Sequence, residues 1–212
     1  TEAAGAPAPE TVAAATPAAE ASATVDQPAE QQPGMPMVYH RPVPMDSTRH
    51  AGKALTEARS FAFAAQSNSV PLTFDEFPVV IRHFPIVFTA GDPAVPVAVL
   101  GLQKSENLYV ESDGRWAEGV YVPGYVRRYP FIFLERPEQS QFALCIDEDS
   151  GLIEDGEGER ALFADGEPTE LTKRALDFCS AYHRQFIATR EFCEALNASG
   201  ILDEKTANIA VG

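Results

Sequence analysis

The stretch "RHFPIVF" at Arg82–Phe88 returns 45 positions later (82 to 127) as "RRYPFIF" at Arg127–Phe133. Each copy runs Arg, one further residue, an aromatic ring, Pro, then three apolar residues ending in Phe. The residue before a proline is pushed out of the helical region, so each Pro closes whatever helix precedes it. The apolar triplet that follows reads as a buried strand. The phrase is therefore a junction, where a short helix ends and the first strand of a hairpin begins.

The flanks agree. "TFDEFPVVIRHF" opens with Thr73 and places Glu76 three residues on, a capping box. Phe77, Val80, Ile81 and Phe84 recur at helical spacing, and Pro78 lies early, where a missing N–H costs little. This predicts a helix over 73–84, followed by a hairpin of "PIVFTA" and "VAVLGLQ". Before the second copy, Pro123, Tyr125, Val126 and Tyr129 predict a short helix over 123–129. "PFIFLE" and "FALCIDE" form the second hairpin. The reading is two related helix–hairpin units within one sheet. "SFAFAAQSNSVPL" predicts a strand with a turn at 66–69.

From Thr169 the pattern changes. Leu171, Ala175, Phe178, Cys179, Tyr182, Phe186, Phe192 and Leu196 form a helical stripe, and "NASG" at Asn197–Gly200 stops it. The fold class is α+β: a mainly antiparallel sheet of hairpins, short helices on one face, and one long C-terminal helix. Residues 1–34 are Ala, Pro, Glu, Thr, Ser and Gln with almost no other apolar residue, which predicts a disordered tail. Residues 35–212 form one α+β domain.

The net charge is −15. It offers no basic footprint for nucleic acid, and no run approaches the roughly 20 apolar residues of a membrane helix. Cytoplasmic or cell-envelope placement without direct membrane insertion is expected. "DEDSGLIEDGEGE" at Asp147–Glu159 reads as a solvated loop. Cys145, Cys179 and Cys193 are too few and too odd for a disulfide framework and read as buried thiols.

No phosphate loop, dinucleotide fingerprint or hydrolase elbow is present, and no cofactor is expected. His40, His50, His83 and His183 form no paired ligand motif, so no metal is expected. Asp147, Asp149 and Asp155 leave a calcium alternative, although the acidic run fails the EF-hand spacing. Cys179 and His183 lie four apart on one helix, either as a reactive pair or as packing plus a rim histidine. The densest polar and aromatic cluster is "ENLYVESDGRWAEGVYVPGYVRRY" at 106–129. Arg115, Trp116, Tyr121, Tyr125, Arg127 and Arg128 are the candidate ligand-binding residues. One reading is a pocket for a carboxylate, phosphate or peptide end. The other is a structural network in which the arginines pair with nearby acids and the rings fill the core.

The ordered series "VYHRPVP", "FAFAAQSNSVPLTFDEFPVVIRHFPIVF", "LGLQKSENLYVESDGRWAEGVYVPGYVRRYPFIF", "FALCIDED", "LFADGEPTELTKRALDFCSAYH" and "FCEALNASGILD" resembles the bacterial SapC family. That family is named for a component of a surface-array (S-layer) locus. The resemblance spans about Met37 to Asp203 and implies association with a surface layer. Family members continue further, so it also implies a C-terminal portion beyond this chain. It brings no catalytic residues. The expected function is that of a non-catalytic surface-layer or envelope-associated protein that binds a protein partner. The alternative is an enzyme, or an accessory subunit of one, handling a small molecule or peptide in the Arg/aromatic cluster.

Overall fold

Residues 37–57, 60–136 and 141–203 are described by a computed structural model. The expectation for 1–34 lies outside the described residues. The chain begins with β1 (Pro42–Pro44) and β2 (Lys53–Leu55). A 3₁₀ turn at Ala62–Ala64 precedes β3 (Ser69–Pro71). The expected strand at "SFAF" is thus corrected. Its Phe/Ala alternation imitates a strand, but Phe63 stacks on Tyr129 at 3.9 Å and Phe61 packs edge-on against Trp116. Those ring contacts decide the backbone, as tertiary packing often overrides local pattern.

A 3₁₀ turn at Phe74–Glu76 runs into α1 (Phe77–Val80). The helix is shorter than the 73–84 expected. Beyond Val80 the amide of His83 bonds Val80 O at 2.8 Å, a tightened three-residue closure ahead of Pro85. Then come β4 (Ile86–Phe88), β5 (Pro96–Val99) and α2 (Gly124–Arg127). β6 (Phe131–Arg136) and β7 (Gln141–Asp147) form the second hairpin, followed by β8 (Ile153–Asp155), β9 (Phe163–Ala164) and β10 (Glu167–Pro168). The chain finishes with α3 (Glu170–Ser199), which Thr169 caps through the Thr172 amide and Gly200 ends in the left-handed conformation. The α+β architecture with antiparallel pairing and one long C-terminal helix is present.

The two units do not share one sheet. Their strand orders are β3-β5-β4 and β1-β7-β6, both antiparallel. In each, the second hairpin strand takes an upstream strand on its outer side. That recruitment covers one edge of each hairpin and leaves β4 and β6 at the opposite edges. β2 pairs with β8, and β9 with β10.

The second sheet is buried on both faces. Ile132 and Cys145 join the larger core with Val80, Phe84, Val126 and Trp116. Phe131, Leu144 and Ile146 face α3 and pack with Leu162 and Cys179. The acidic run is not simply a solvated loop. Asp147 is fully buried, accepts the amides of His40 and Arg41 at 2.9 and 2.7 Å and receives the Tyr129 hydroxyl at 3.1 Å. Glu148 pairs with Arg41 and Arg49, and residues 153–155 are strand.

Candidate functional site

Glu76 organises the junction between the units. Its buried carboxylate accepts the Thr73 amide (3.1 Å) and hydroxyl (3.0 Å) on one oxygen. The other oxygen accepts the Gly124 amide (2.7 Å) and the Tyr121 hydroxyl (3.0 Å). A Cβ on Gly124 would meet the Tyr182 ring at 3.2 Å and Glu76 Oε1 at 3.3 Å, so α2 starts with glycine because the backbone is wedged there.

One turn later, at the C-terminal cap of α2, Arg128 is held among three tyrosine rings. Its Cζ lies 4.2 Å from the Tyr125 centroid, 4.7 Å from Tyr182 and 5.6 Å from Tyr39. These are cation–π distances. Tyr39 and Tyr125 spend their hydroxyls on the carbonyls of Phe131 and Met37, both at 2.7 Å. Arg128 Nε and the Tyr182 hydroxyl are buried with no hydrogen-bond partner. Among the described residues no carboxylate is ion-paired with Arg128.

The candidate residues divide into three places. Tyr125 and Arg128 share the cage. Tyr121 and Arg127 lie beside it, joined by a 2.9 Å hydrogen bond, with the Arg127 guanidinium also over Phe178. Arg115 and Trp116 are elsewhere. Arg115 is exposed and pairs with Asp113 and Glu111 at the Gly114 turn. Trp116 is buried against Phe61, Phe84 and Tyr109.

The acids considered for calcium do not converge. Asp147 is saturated by backbone and tyrosine donors, Asp149 pairs with Arg41, and Asp155 pairs with Lys53. Cys145, Cys179 and Cys193 are all buried, and none of them is in a disulfide. Burial pushes the Cys179 thiol up to about 11, against the pull of Arg128, so it stays protonated at neutral pH. His183 packs on Phe142 at 4.1 Å and is held below its usual range by burial and then by Arg128. Burial likewise raises the Tyr39, Tyr125 and Tyr182 phenols. The groups around Arg128 are therefore neutral.

A SapC family model matches residues 45–212. The chain belongs to the SapC family. No curated protein and no solved structure matches it.

Sequence reasoning passed over Tyr182, inside the matched SapC region, and Tyr39, just before it, two of the three cage walls. Tyr182 entered only as one member of an apolar stripe, and Tyr39 only inside the quoted "VYHRPVP". A signal for both existed in their type: buried Tyr seeks a partner for its hydroxyl.

Proposed function

We propose that this SapC-family chain is a non-catalytic binding protein of a surface-layer or envelope system, and that it engages a protein partner through the flank of α3 that meets the end of the second hairpin, together with that end. One observation carries the reading. Apolar side chains face solvent there: Phe142 is 49% exposed, Leu176 44%, and Phe186 and Ile187 adjoin them. His183 links the hairpin to the helix, because its ring packs on Phe142 while Phe186 and Ile187 follow it on α3. Grouped exposed apolar residues are a mark of interaction surfaces.

Charge favours a protein on this face. The chain carries −15, yet α3 balances Lys173, Arg174, Arg184 and Arg190 against Glu170, Asp177, Glu191 and Glu194. A partner approaching α3 meets a helix without net charge on an acidic molecule. Among the described residues no helix is long and apolar enough to cross a membrane.

The test uses cross-linking in the native envelope. A photoreactive residue at Ile187 should capture one discrete protein, and the same residue at Asp165 should not. Ile187→Asp, with unchanged circular dichroism, should abolish the complex. Equal capture from both positions would sink the reading. So would sedimentation showing that Ile187→Asp merely turns a self-associated chain into a monomer.

A further inference from the structure

We infer that Arg128 and Tyr182 form a receptor for one organic carboxylate, a site separate from the α3 docking face. Three observations meet at this point. The first is charge. A guanidinium lies among Tyr39, Tyr125, Tyr182 and the Cys179 thiol with no ion-paired carboxylate among the described residues. Glu76, which abuts the Tyr182 ring across Gly124, is taken up by its own four donors. Buried charges in proteins are otherwise paired, because an unpaired one is costly.

The second observation is the pair of idle donors. Arg128 Nε–H and Tyr182 O–H are both buried and both lack an acceptor. Most buried polar groups in native structures find a partner, so two donors without one in a single cage indicate a missing acceptor. The third is access. Arg128 as a whole is half-buried and not sealed in the core, although its Nε is shut off from solvent.

The chemistry selects the ligand class. One uncompensated positive charge is neutralised by a monoanion. A phosphate dianion would leave net negative charge among aromatic rings. A planar carboxylate matches the edge of a guanidinium, and tyrosine rings around it suit an apolar or aromatic body behind the acid. Either a free organic acid or the C-terminus of a polypeptide offers this group.

The full chain is titrated with sodium benzoate while the Arg128 Nε–H resonance is followed by NMR. A saturable shift is expected, and inorganic phosphate should bind more weakly. Tyr182→Phe keeps the ring and removes the hydroxyl, and should weaken benzoate about tenfold. Arg128→Lys, which loses the planar donor edge, should weaken it at least as much. A short peptide and its C-terminal amide separate the sources. Binding by the free-acid peptide alone assigns a chain end, and binding by benzoate but neither peptide assigns a small acid. No saturable shift in the wild type would overturn the inference without recourse to any variant. Tighter phosphate binding, or an unchanged affinity in a folded Tyr182→Phe, would overturn it too.

Discussion

Glu76 Oε1 lies 2.7 Å from the backbone nitrogen of Gly124, and this bond couples the two helix–hairpin units. The carboxylate that reaches back to Thr73 at the start of one unit also takes the first amide of α2 in the other. Orphan amides at two helix starts thus share one anion.

Glu76→Gln keeps the shape but offers one acceptor oxygen where two were used. It should cost about 2–3 kcal/mol, the scale of hydrogen bonds to a buried charge. Tyr121→Phe, which removes one half-exposed donor, should cost about 1 kcal/mol or less. Urea unfolding with unchanged m-values measures both. Near-wild-type stability of Glu76→Gln would show that the coupling is dispensable.

Asp147 ties the lead-in segment to the end of β7 through the amides of His40 and Arg41. Asp147→Ala leaves those amides and the Tyr129 hydroxyl without their acceptor and should destabilise by about 3 kcal/mol. Hydrogen exchange should quicken first at His40 and Arg41, before the central strands respond. Uniform quickening over the whole domain would contradict this local role.

Acid should weaken the fold in a defined window. Arg49 bonding, then Arg41 and His50, hold the Glu148 carboxyl down to about 2. A depressed folded value gives stability that is present above the ordinary glutamate range near 4.5 and is lost as pH falls toward 2. Asp149, lowered chiefly by Arg41, acts in the same direction. Melting temperature followed from pH 6 to 2 should fall in the wild type, and Glu148→Gln should flatten that slope. Parallel slopes would place the acid sensitivity elsewhere.

Cys179 should resist alkylation. Its thiol is buried and raised to about 11, so little thiolate exists at pH 8. Iodoacetamide should label the native chain many-fold more slowly than the chain in urea. Rapid native labelling at Cys179, read by peptide mass, would mean that α3 lifts from the sheet.

Local signals were legible where they are self-contained. Thr73 and Glu76 announce a capped helix start, Pro85 and Pro130 announce strands, and Thr169 with Gly200 brackets α3 at both ends. What escaped depends on distant partners. Nothing near Asp147 distinguishes it from Asp149, yet one is fully buried and the other is an exposed ion pair. Phe61 and Phe63 alternate as a strand does, and only Trp116 and Tyr129 reveal why they are not one. In the candidate site, Tyr125 and Arg128 are three apart on one helical turn and could be grouped at sight. Tyr39 and Tyr182 come from opposite ends of the domain. Arg115 and Trp116 are neighbours in sequence, but one faces solvent and the other the core.

The nesting of the two sheets sets a timetable for synthesis. β3, β4 and β5 lie within residues 69–99 and can close as soon as that segment leaves the ribosome. β1 must wait for β7, since Pro42 pairs with Asp147, 105 residues later (147 − 42). At roughly 5–20 residues per second the wait is on the order of 5–20 s. Through that interval Tyr39 and the β1 strand stand without their partners while Glu76 already holds Thr73. The amide of Gly124 follows Glu76 by 48 residues, so its acceptor is synthesised well before it.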